Sequence, residues 1–188
     1  MPTIKPFRDI DSHDVINLYT FNPTGTYPAL KGQFVKILSG WNTEQNPIGE
    51  IGDVGAAYGN TVSKRYGIAP YVGTCVNSGD NAIGITLYDV RETDENGERL
   101  IFNATKAAQM QCVLSGQAVP IATKGLFLYS GVNGGRERVA VVAGQPAFLG
   151  NDGGVNTSGT ANVSLATRVG TFMGSADANG WVLLKINL

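Results

Sequence analysis

The residue types that most often carry acid–base and nucleophilic chemistry are scarce in this chain of 188 residues. It contains one histidine, His13, and two well-separated cysteines, Cys75 and Cys112. A Ser–His–Asp or Cys–His mechanism would need His13 as its base, yet His13 lies in a polar, Pro-containing stretch and catalysis requires a rigidly held base. Two distant cysteines and one histidine do not make up a zinc site either. The sequence therefore predicts a protein that is not an enzyme and that uses no cofactor and no metal.

Carboxylates, which are able to bind cations or act as acid–base pairs, occur in two groups within predicted turns. The groups are Asp9, Asp11 and Asp14, and Glu92, Asp94, Glu95 and Glu98. The second group lacks the ligand spacing and the closing bidentate Glu of a calcium loop. Nothing in the sequence places two carboxylates opposite each other, as glycoside hydrolysis requires. A solvated hairpin tip is therefore the prediction for the second group.

Three glycines, Gly49, Gly52 and Gly55, have a regular spacing that suggests a phosphate-binding loop. A P-loop requires GxxxxGK[ST], and a dinucleotide fingerprint requires a strand before it and a helix after it. The segment around these glycines meets neither requirement. Tight turns in which glycine tolerates positive φ are the better interpretation.

The composition favours an all-β chain whose partners are other proteins. There are 25 glycines, hydrophobic residues make up 43% of the chain, and charged residues make up only 15%. Abundant glycine with few helical patterns is typical of many short strands joined by turns. A surface with little charge packs readily against other protein surfaces, because few charges must be desolvated.

Several classes of partner and location are disfavoured. The net charge is −1 and no basic patch occurs, so we expect no nucleic-acid binding. The N-terminus has no apolar signal-peptide core, and no apolar run approaches the roughly 20 residues of a membrane helix, so we expect no membrane association. The two cysteines are predicted to be buried thiols in a reducing cytosol.

The strand and turn patterns divide the chain into four parts. They are an extended N-terminal arm over 1–14, a first β module over 15–92, a connector over 93–118 with a hairpin tip and one short helix near 105–114, and a second β module over 119–188. Asn96-Gly97 predicts a type I′ hairpin turn. The final stretch WVLLKINL predicts a strand inside a sheet. The predicted fold class is all-β, with barrel or sandwich modules that may pack as one domain.

Three landmarks recur in the same order in the two predicted modules. Lys31-Gly32-Gln33-Phe34 resembles Lys124-Gly125-Leu126-Phe127, and Val72-Gly73-Thr74 matches Val169-Gly170-Thr171. An Asp-ended turn follows in each half, at Asp80 and at Asp177. Duplication of one β motif and chance recurrence of common residues both account for this pattern. If it is a duplication, each half offers an apolar face that the other buries.

Longer stretches carry a resemblance to a known class of protein. They are KGQFVKI, NAIGITLYDVRETDENGERLIF, TKAAQMQCVLSGQAVPIATKGLFLYSG, AGQPAFLGNDGG and VGTFMGSADANGWVLLKINL. Taken together, and over most of the chain, they resemble the head-decoration (cement) proteins of tailed bacteriophages. The resemblance implies a non-enzymatic β-rich protein that binds the outer surface of the capsid, commonly as a homotrimer, and braces neighbouring capsomers.

That resemblance also implies partners and a location. The partners would be the major capsid protein and further copies of the chain itself. The location would be the outer capsid surface of the virion, after synthesis in the host cytoplasm. The polar arm over 1–14 is then the candidate capsid contact, because an extended segment could become ordered on the shell. The candidate contact residues are Pro2, Ile4, Pro6, Phe7, Arg8 and Ile10.

Two alternative functions remain open on the sequence. A neck or tail component of the phage would have the same composition and would differ in copy number and location. A carbohydrate-binding β module would use exposed aromatic residues, for which the candidates are Trp41, Tyr58, Tyr66 and Tyr71. Packing in the core or between subunits is the competing interpretation of these aromatic residues.

Overall fold

The structure is a computed structural model, and it describes residues 3–22, 29–40, 70–114, 116–132, 141–157 and 166–188. Most of these residues lie in short strands or in the turns between them. The one α-helix of the described part, α1, spans only Ala104–Gln109. The predicted all-β class is therefore confirmed.

Fourteen strands follow one another along the described part of the chain. They are β1 (Thr3–Pro6), β2 (Val15–Ile16), β3 (Thr20–Phe21), β4 (Phe34–Ser39), β5 (Tyr71–Thr74), β6 (Gly84–Thr86), β7 (Asp89–Val90), β8 (Cys112–Val113), β9 (Ile121–Ala122), β10 (Lys124–Ser130), β11 (Pro146–Leu149), β12 (Val155–Asn156), β13 (Arg168–Phe172) and β14 (Trp181–Asn187). Short 3₁₀ turns occupy Ser12–Asp14, Leu100–Phe102 and Asn151–Gly153.

The strands form two six-stranded sheets and one small pair. Sheet A has the order β1-β10-β14-β13-β11-β12, and sheet B has the order β2-β9-β6-β4-β5-β3. The pair is β7 with β8, which run parallel. In neither sheet do the two end strands pair with each other over the described residues, so barrel closure is not seen there.

Strand β14 shows why sheet A forms at the end of the chain. Its residues alternate strictly, with Val182, Leu184 and Ile186 buried between more exposed neighbours. This period of two matches the pleat of a strand that has one face on a core. Because β14 lies between β10 and β13, the prediction that the final stretch is a strand inside a sheet is confirmed.

Sheet B has a core on each of its faces. In β4, Phe34 joins a cluster shared with Phe127 and Leu184 of sheet A, whereas the next residue, Val35, joins a second cluster on the other face. That second cluster includes Val90 of the β7–β8 pair. Sheet B is therefore the middle layer, and the two large sheets share one hydrophobic core.

Part of the predicted extended N-terminal arm belongs to sheet A. Thr3–Pro6 forms the edge strand β1, which pairs antiparallel with β10, and Ile4 lies opposite Tyr129. Ile4 is only 2% exposed and belongs to the shared core. Burial of the Ile4 side chain is favourable, and this free energy outweighs the conformational entropy that a mobile arm would keep. Strand β9, at the start of the predicted second module, pairs with β2 and β6 of sheet B.

Two predictions about the connector were only partly right. The helix ends at Gln109 rather than at residue 114, since Cys112 and Val113 pair with Asp89 and Val90 as a strand. The hairpin at residues 94–98 is real, but its turn is not type I′. Type I′ requires positive φ at both central residues, and only Gly97 has it, at 85°.

The recurring landmarks lie in strands that have different neighbours in the two halves. In the first half, β4 pairs directly with β5, which carries Val72-Gly73-Thr74. In the second half, β14 separates β10 from β13, which carries Val169-Gly170-Thr171. The Lys-Gly steps do share a local property, since Gly32 and Gly125 have φ values of 88° and 144°. The similarity is therefore local and does not extend to the order of the strands.

Candidate interaction surface

The expected capsid-contact residues are placed very differently from one another. Ile4 is buried and Ile10 packs partly against the shared core. Pro6, Phe7 and Arg8 are exposed at the end of β1. Pro2, the remaining candidate, lies outside the described residues. Of the described candidates, Pro6, Phe7 and Arg8 are therefore the ones with exposed side chains.

The aromatic residues considered for glycan binding do not form a described surface. Trp41, Tyr58 and Tyr66 lie outside the described residues, as do Gly49, Gly52 and Gly55. Tyr71 is half-buried in β5, where it pairs with Thr20 of β3. The structure therefore provides no platform of exposed rings from these residues within its described part.

The single histidine is exposed and has one acidic neighbour. His13 Nδ1 lies 2.9 Å from Asp11 Oδ1, and the same oxygen accepts a hydrogen bond from the His13 backbone N–H at 3.0 Å. These two hydrogen bonds, the backbone one first, lower the pKa of Asp11. Asp11 acts as the cap of the 3₁₀ turn at Ser12–Asp14.

Neither cysteine is activated as a nucleophile. Burial, with a smaller contribution from the nearby Asp80 carboxylate, raises the pKa of Cys75 to about 12. Burial also raises the pKa of Cys112, although the Arg91 charge partly opposes it. Both thiols therefore remain protonated at neutral pH. Among the described residues, no group of three or more His, Cys, Asp and Glu side chains could hold a metal ion.

Among the described residues, the most exposed large apolar side chains lie together in the connector. Ile101 is 68% exposed and Phe102 is 85% exposed, whereas the preceding Leu100 is 1% exposed. All three belong to the 3₁₀ turn between the acidic hairpin and α1. Leu100 anchors the turn in the protein, and the next two residues point away from it. We call Ile101 and Phe102 the apolar tip.

An almost fully buried carboxylate holds the hairpin beside the apolar tip. The Asp94 side chain is 2% exposed. Its Oδ1 accepts hydrogen bonds from the backbone N–H groups of Asn96 and Glu98, both at 2.8 Å. Its Oδ2 contacts Lys106 Nζ, which also lies 3.1 Å from Glu98 Oε2. Asp94 therefore links the hairpin to helix α1.

Electrostatics favour the charged forms of this linkage. The hydrogen bond from Lys106 is the largest influence that lowers the pKa of Asp94, and the two backbone N–H groups add to it against the opposing effect of burial. The same contact, with a second from Glu98, raises the pKa of Lys106. The ion pair thus persists at neutral pH. Since Asn103 caps α1 by accepting a hydrogen bond from the Lys106 N–H at 3.1 Å, both sides of the apolar tip are held in place.

Sequence reasoning found the acidic hairpin and missed the tip that follows it. A signal was present, because Asp-x-Asn-Gly occurs twice, at Asp94 and at Asp177. Asp177 Oδ1 accepts hydrogen bonds from the N–H groups of Asn179 and Trp181, both at 2.8 Å, just as Asp94 does in its own turn. Gly180 also has positive φ, at 80°. The repeated motif predicts a rigid turn. Apolar residues that directly follow a rigid turn are held at the protein surface.

Comparison with known proteins adds no assignment: no protein-family model matches this chain, and no curated protein is similar to it at a significant level. Among the described residues, no helix is long and apolar enough to span a membrane.

Proposed function

We propose that this protein is a structural virion component that binds the outer surface of a phage capsid and stabilises the contacts between capsomers. It acts as a homo-oligomer, with the trimer as the expected form, and its partners are the major capsid protein and its own copies. It is made in the host cytoplasm and carries out no reaction. The resemblance of the sequence to head-decoration proteins motivates this proposal.

The apolar tip is the observation that carries the proposal. A Phe side chain that is 85% exposed on a turn held by Leu100 and Asp94 gives no folding energy to the chain that bears it. Large aromatic side chains held rigidly at a surface are typical of the anchors of protein–protein interfaces. A protein with such an anchor and with unactivated thiols fits assembly better than catalysis.

The proposed mode of action is mass action on the assembled shell. A brace that binds the assembled shell, but not free capsid subunits, shifts the assembly equilibrium towards the shell. Several weak contacts made by one oligomer add through avidity. The exposed segment Pro6–Arg8 is the proposed shell contact, because its side chains are exposed where the edge strand β1 ends.

The first test is the copy number of the chain in purified particles, measured by quantitative mass spectrometry against the major capsid protein. Copies in the hundreds are expected for a decoration protein. About a dozen copies or fewer would indicate a neck or tail component instead. Absence from the particles would overturn the proposal.

The second test is co-sedimentation with purified undecorated shells. Phe7→Ser with Arg8→Ala is expected to reduce the bound fraction at least fivefold. The matched control is Ile37→Ser, which alters an exposed apolar side chain on β4 of sheet B. Equal binding of the two variants would remove Pro6–Arg8 as the shell contact.

A further inference from the structure

The face of sheet A that points away from the shared core carries basic side chains and no acidic ones. Along β10 and β14, Phe127 and Leu184 enter the core, so their neighbours in the strand point to the opposite face. The six strands of sheet A contain no Asp and no Glu. They contain four exposed basic residues, which are Lys5, Lys124, Arg168 and Lys185. We call the outward surface of β1, β10, β13 and β14 the basic face.

The strand register places these cations around half-buried leucines. Leu128 of β10 lies opposite Lys5 of β1 on one side and opposite Leu183 of β14 on the other. Leu126, the next outward residue of β10, lies opposite Lys185. Side chains that are opposite each other on one face of an antiparallel pair are in reach of each other. The basic face therefore has an apolar centre with cations beside it.

Two of the cations are held on this face by contacts with neighbouring strands. Arg168 Nη2 donates a hydrogen bond to Thr171 Oγ1 at 2.9 Å, and Thr171 lies opposite Lys185. Lys5 Nζ lies 4.6 Å from the centre of the Trp181 ring, which it reaches across β10. Among the described residues, none of the four cations forms a salt bridge with a carboxylate. The four are far apart in the chain, which is why the sequence shows no basic patch.

The arrangement of the basic face favours a protein partner over a nucleic acid or a membrane. Single-stranded nucleic acids stack their bases on open aromatic rings, but Lys5 Nζ already lies over the Trp181 ring. Membrane surfaces take up projecting apolar side chains, whereas the leucines of this face are half-buried among their neighbours. The basic face of a second copy is an unfavourable partner, because like charges would oppose each other across the contact. An apolar centre with a polar rim is typical of a protein interface.

We propose that the basic face binds a protein surface on which carboxylates surround apolar side chains. Such a surface would pair its carboxylates with the four cations and would cover the leucines between them. The basic face adjoins the proposed shell contact, because Phe7 is 54% exposed and its N–H donates to the Leu126 carbonyl oxygen at 3.0 Å. The inference deepens the proposed function and rests on it for the identity of the partner, which is then the assembled shell.

Co-sedimentation of the full chain with undecorated shells tests the basic face directly. Lys185→Gln is expected to raise the dissociation constant about threefold or more, and the binding of the unmodified chain should weaken as salt is added. Arg99→Gln is the matched control, because it removes an exposed cation that lies outside sheet A. Shell binding that is the same for the two variants, or that salt does not weaken, would overturn the basic face and leave the proposed function standing.

A measurement without a capsid lets the two proposals fail separately. With a soluble polyglutamate peptide as the probe, the amide chemical shifts that change should centre on β1, β10 and β14, and Lys124→Gln with Lys185→Gln should reduce these changes. Changes centred elsewhere would overturn the proposal, whatever the shells do. Retention of the chain by duplex DNA or by phosphatidylserine vesicles at about 150 mM salt, lost in the double variant, would overturn the choice of a protein partner. Self-association that the double variant loses in sedimentation equilibrium would make a second copy the occupant and would also overturn it.

Discussion

The backbone of Gly32 lies directly against the backbone of Thr3, so that a Cβ atom at Gly32 would stand 3.1 Å from the Thr3 carbonyl carbon. Gly32 also has a φ of 88°, which disfavours any other residue. Its N–H donates to the Thr86 carbonyl oxygen at 2.8 Å, which fixes the turn to β6. Strand β1 is therefore held by β10 along one edge and by the turn before β4.

Replacing Gly32 by alanine should destabilise the protein through two effects. The left-handed conformation costs about 1–2 kcal/mol for a residue with a Cβ, and the contact with Thr3 should add about 1–3 kcal/mol as overpacking. Gly116→Ala is the matched control, because Gly116 has a φ of 89° and no atom within 4 Å of a built Cβ. Urea unfolding of both variants measures the difference. Equal losses would show that the contact with Thr3 is not energetically important.

Strand β1 should contribute to the stability of the whole fold. Ile4→Ala is expected to lower the free energy of unfolding by about 2–5 kcal/mol, the range for truncating a buried Ile. Phe7→Ala changes an exposed residue of the same segment and should cost less than about 0.5 kcal/mol. A deletion of residues 1–12 should unfold at a clearly lower urea concentration. An unchanged midpoint for the deletion would mean that the segment is dispensable.

Low pH should lower the stability of the fold, in particular through protonation of the Asp80 carboxylate. Asp80 Oδ2 accepts hydrogen bonds from Lys36 Nζ at 2.9 Å and from the backbone N–H groups of Val76 and Asn77. Burial acts to raise the pKa of Asp80, but these hydrogen bonds prevail and hold it below 3.8. The stabilisation is then fully present above 3.8 and is lost as the pH falls through the lowered pKa.

Thermal unfolding of the unmodified chain and of Asp80→Asn, followed from about pH 7 to pH 2, tests this predicted direction of the pH dependence of stability. The variant should be less stable at pH 7, and the difference between the two should shrink below about pH 4, near the reference pKa of an aspartate. Lys36→Met should reproduce part of the loss. A difference that stays constant with pH would show that the Asp80 carboxylate does not contribute through its charge.

The two thiols should differ strongly in their reaction with iodoacetamide. Cys75 is fully buried and its pKa is raised to about 12, so both its thiolate fraction and its access to reagent are low. Cys112 is partly exposed. Peptide mass spectrometry of native protein at about pH 8 should find label on Cys112 at least tenfold faster than on Cys75. Comparable rates would contradict the burial of Cys75.

The Asp94 linkage should determine how rigidly the apolar tip is held. Asp94→Ala removes the acceptor for the Asn96 and Glu98 N–H groups and the partner of Lys106. Hydrogen exchange at these amides should become faster, together with that of the tip. Asp177→Ala provides a matched control, because it opens the same kind of turn far from the tip in sequence. Exchange in the tip that is unaffected by Asp94→Ala would argue against this linkage.

Local sequence patterns predicted the final strand well and the connector poorly. Strand β14, Trp181–Asn187, lies within the final stretch WVLLKINL that the sequence predicts as a strand, because a period of two defines a strand locally. The helix was predicted too long, since strong helix formers continue to Gln111 whereas pairing of Cys112 with Asp89 ends it earlier. The apolar tip could not be foreseen, because whether Ile101 and Phe102 are covered depends on which parts of the fold lie beside them.

The sequence by itself determined the all-β class, the final strand of sheet A and the scarcity of histidine and cysteine, since these depend on composition and on a period of two along the chain. Only the tertiary structure decided that Thr3–Pro6 is an edge strand, that sheet B is buried on both faces and that Phe102 stays exposed beside a buried Leu100. The physical reason is that backbone hydrogen bonds between strands and the burial of a side chain join residues far apart in the chain. Ile4 with Tyr129 is such a pair, and a local pattern carries no information about it.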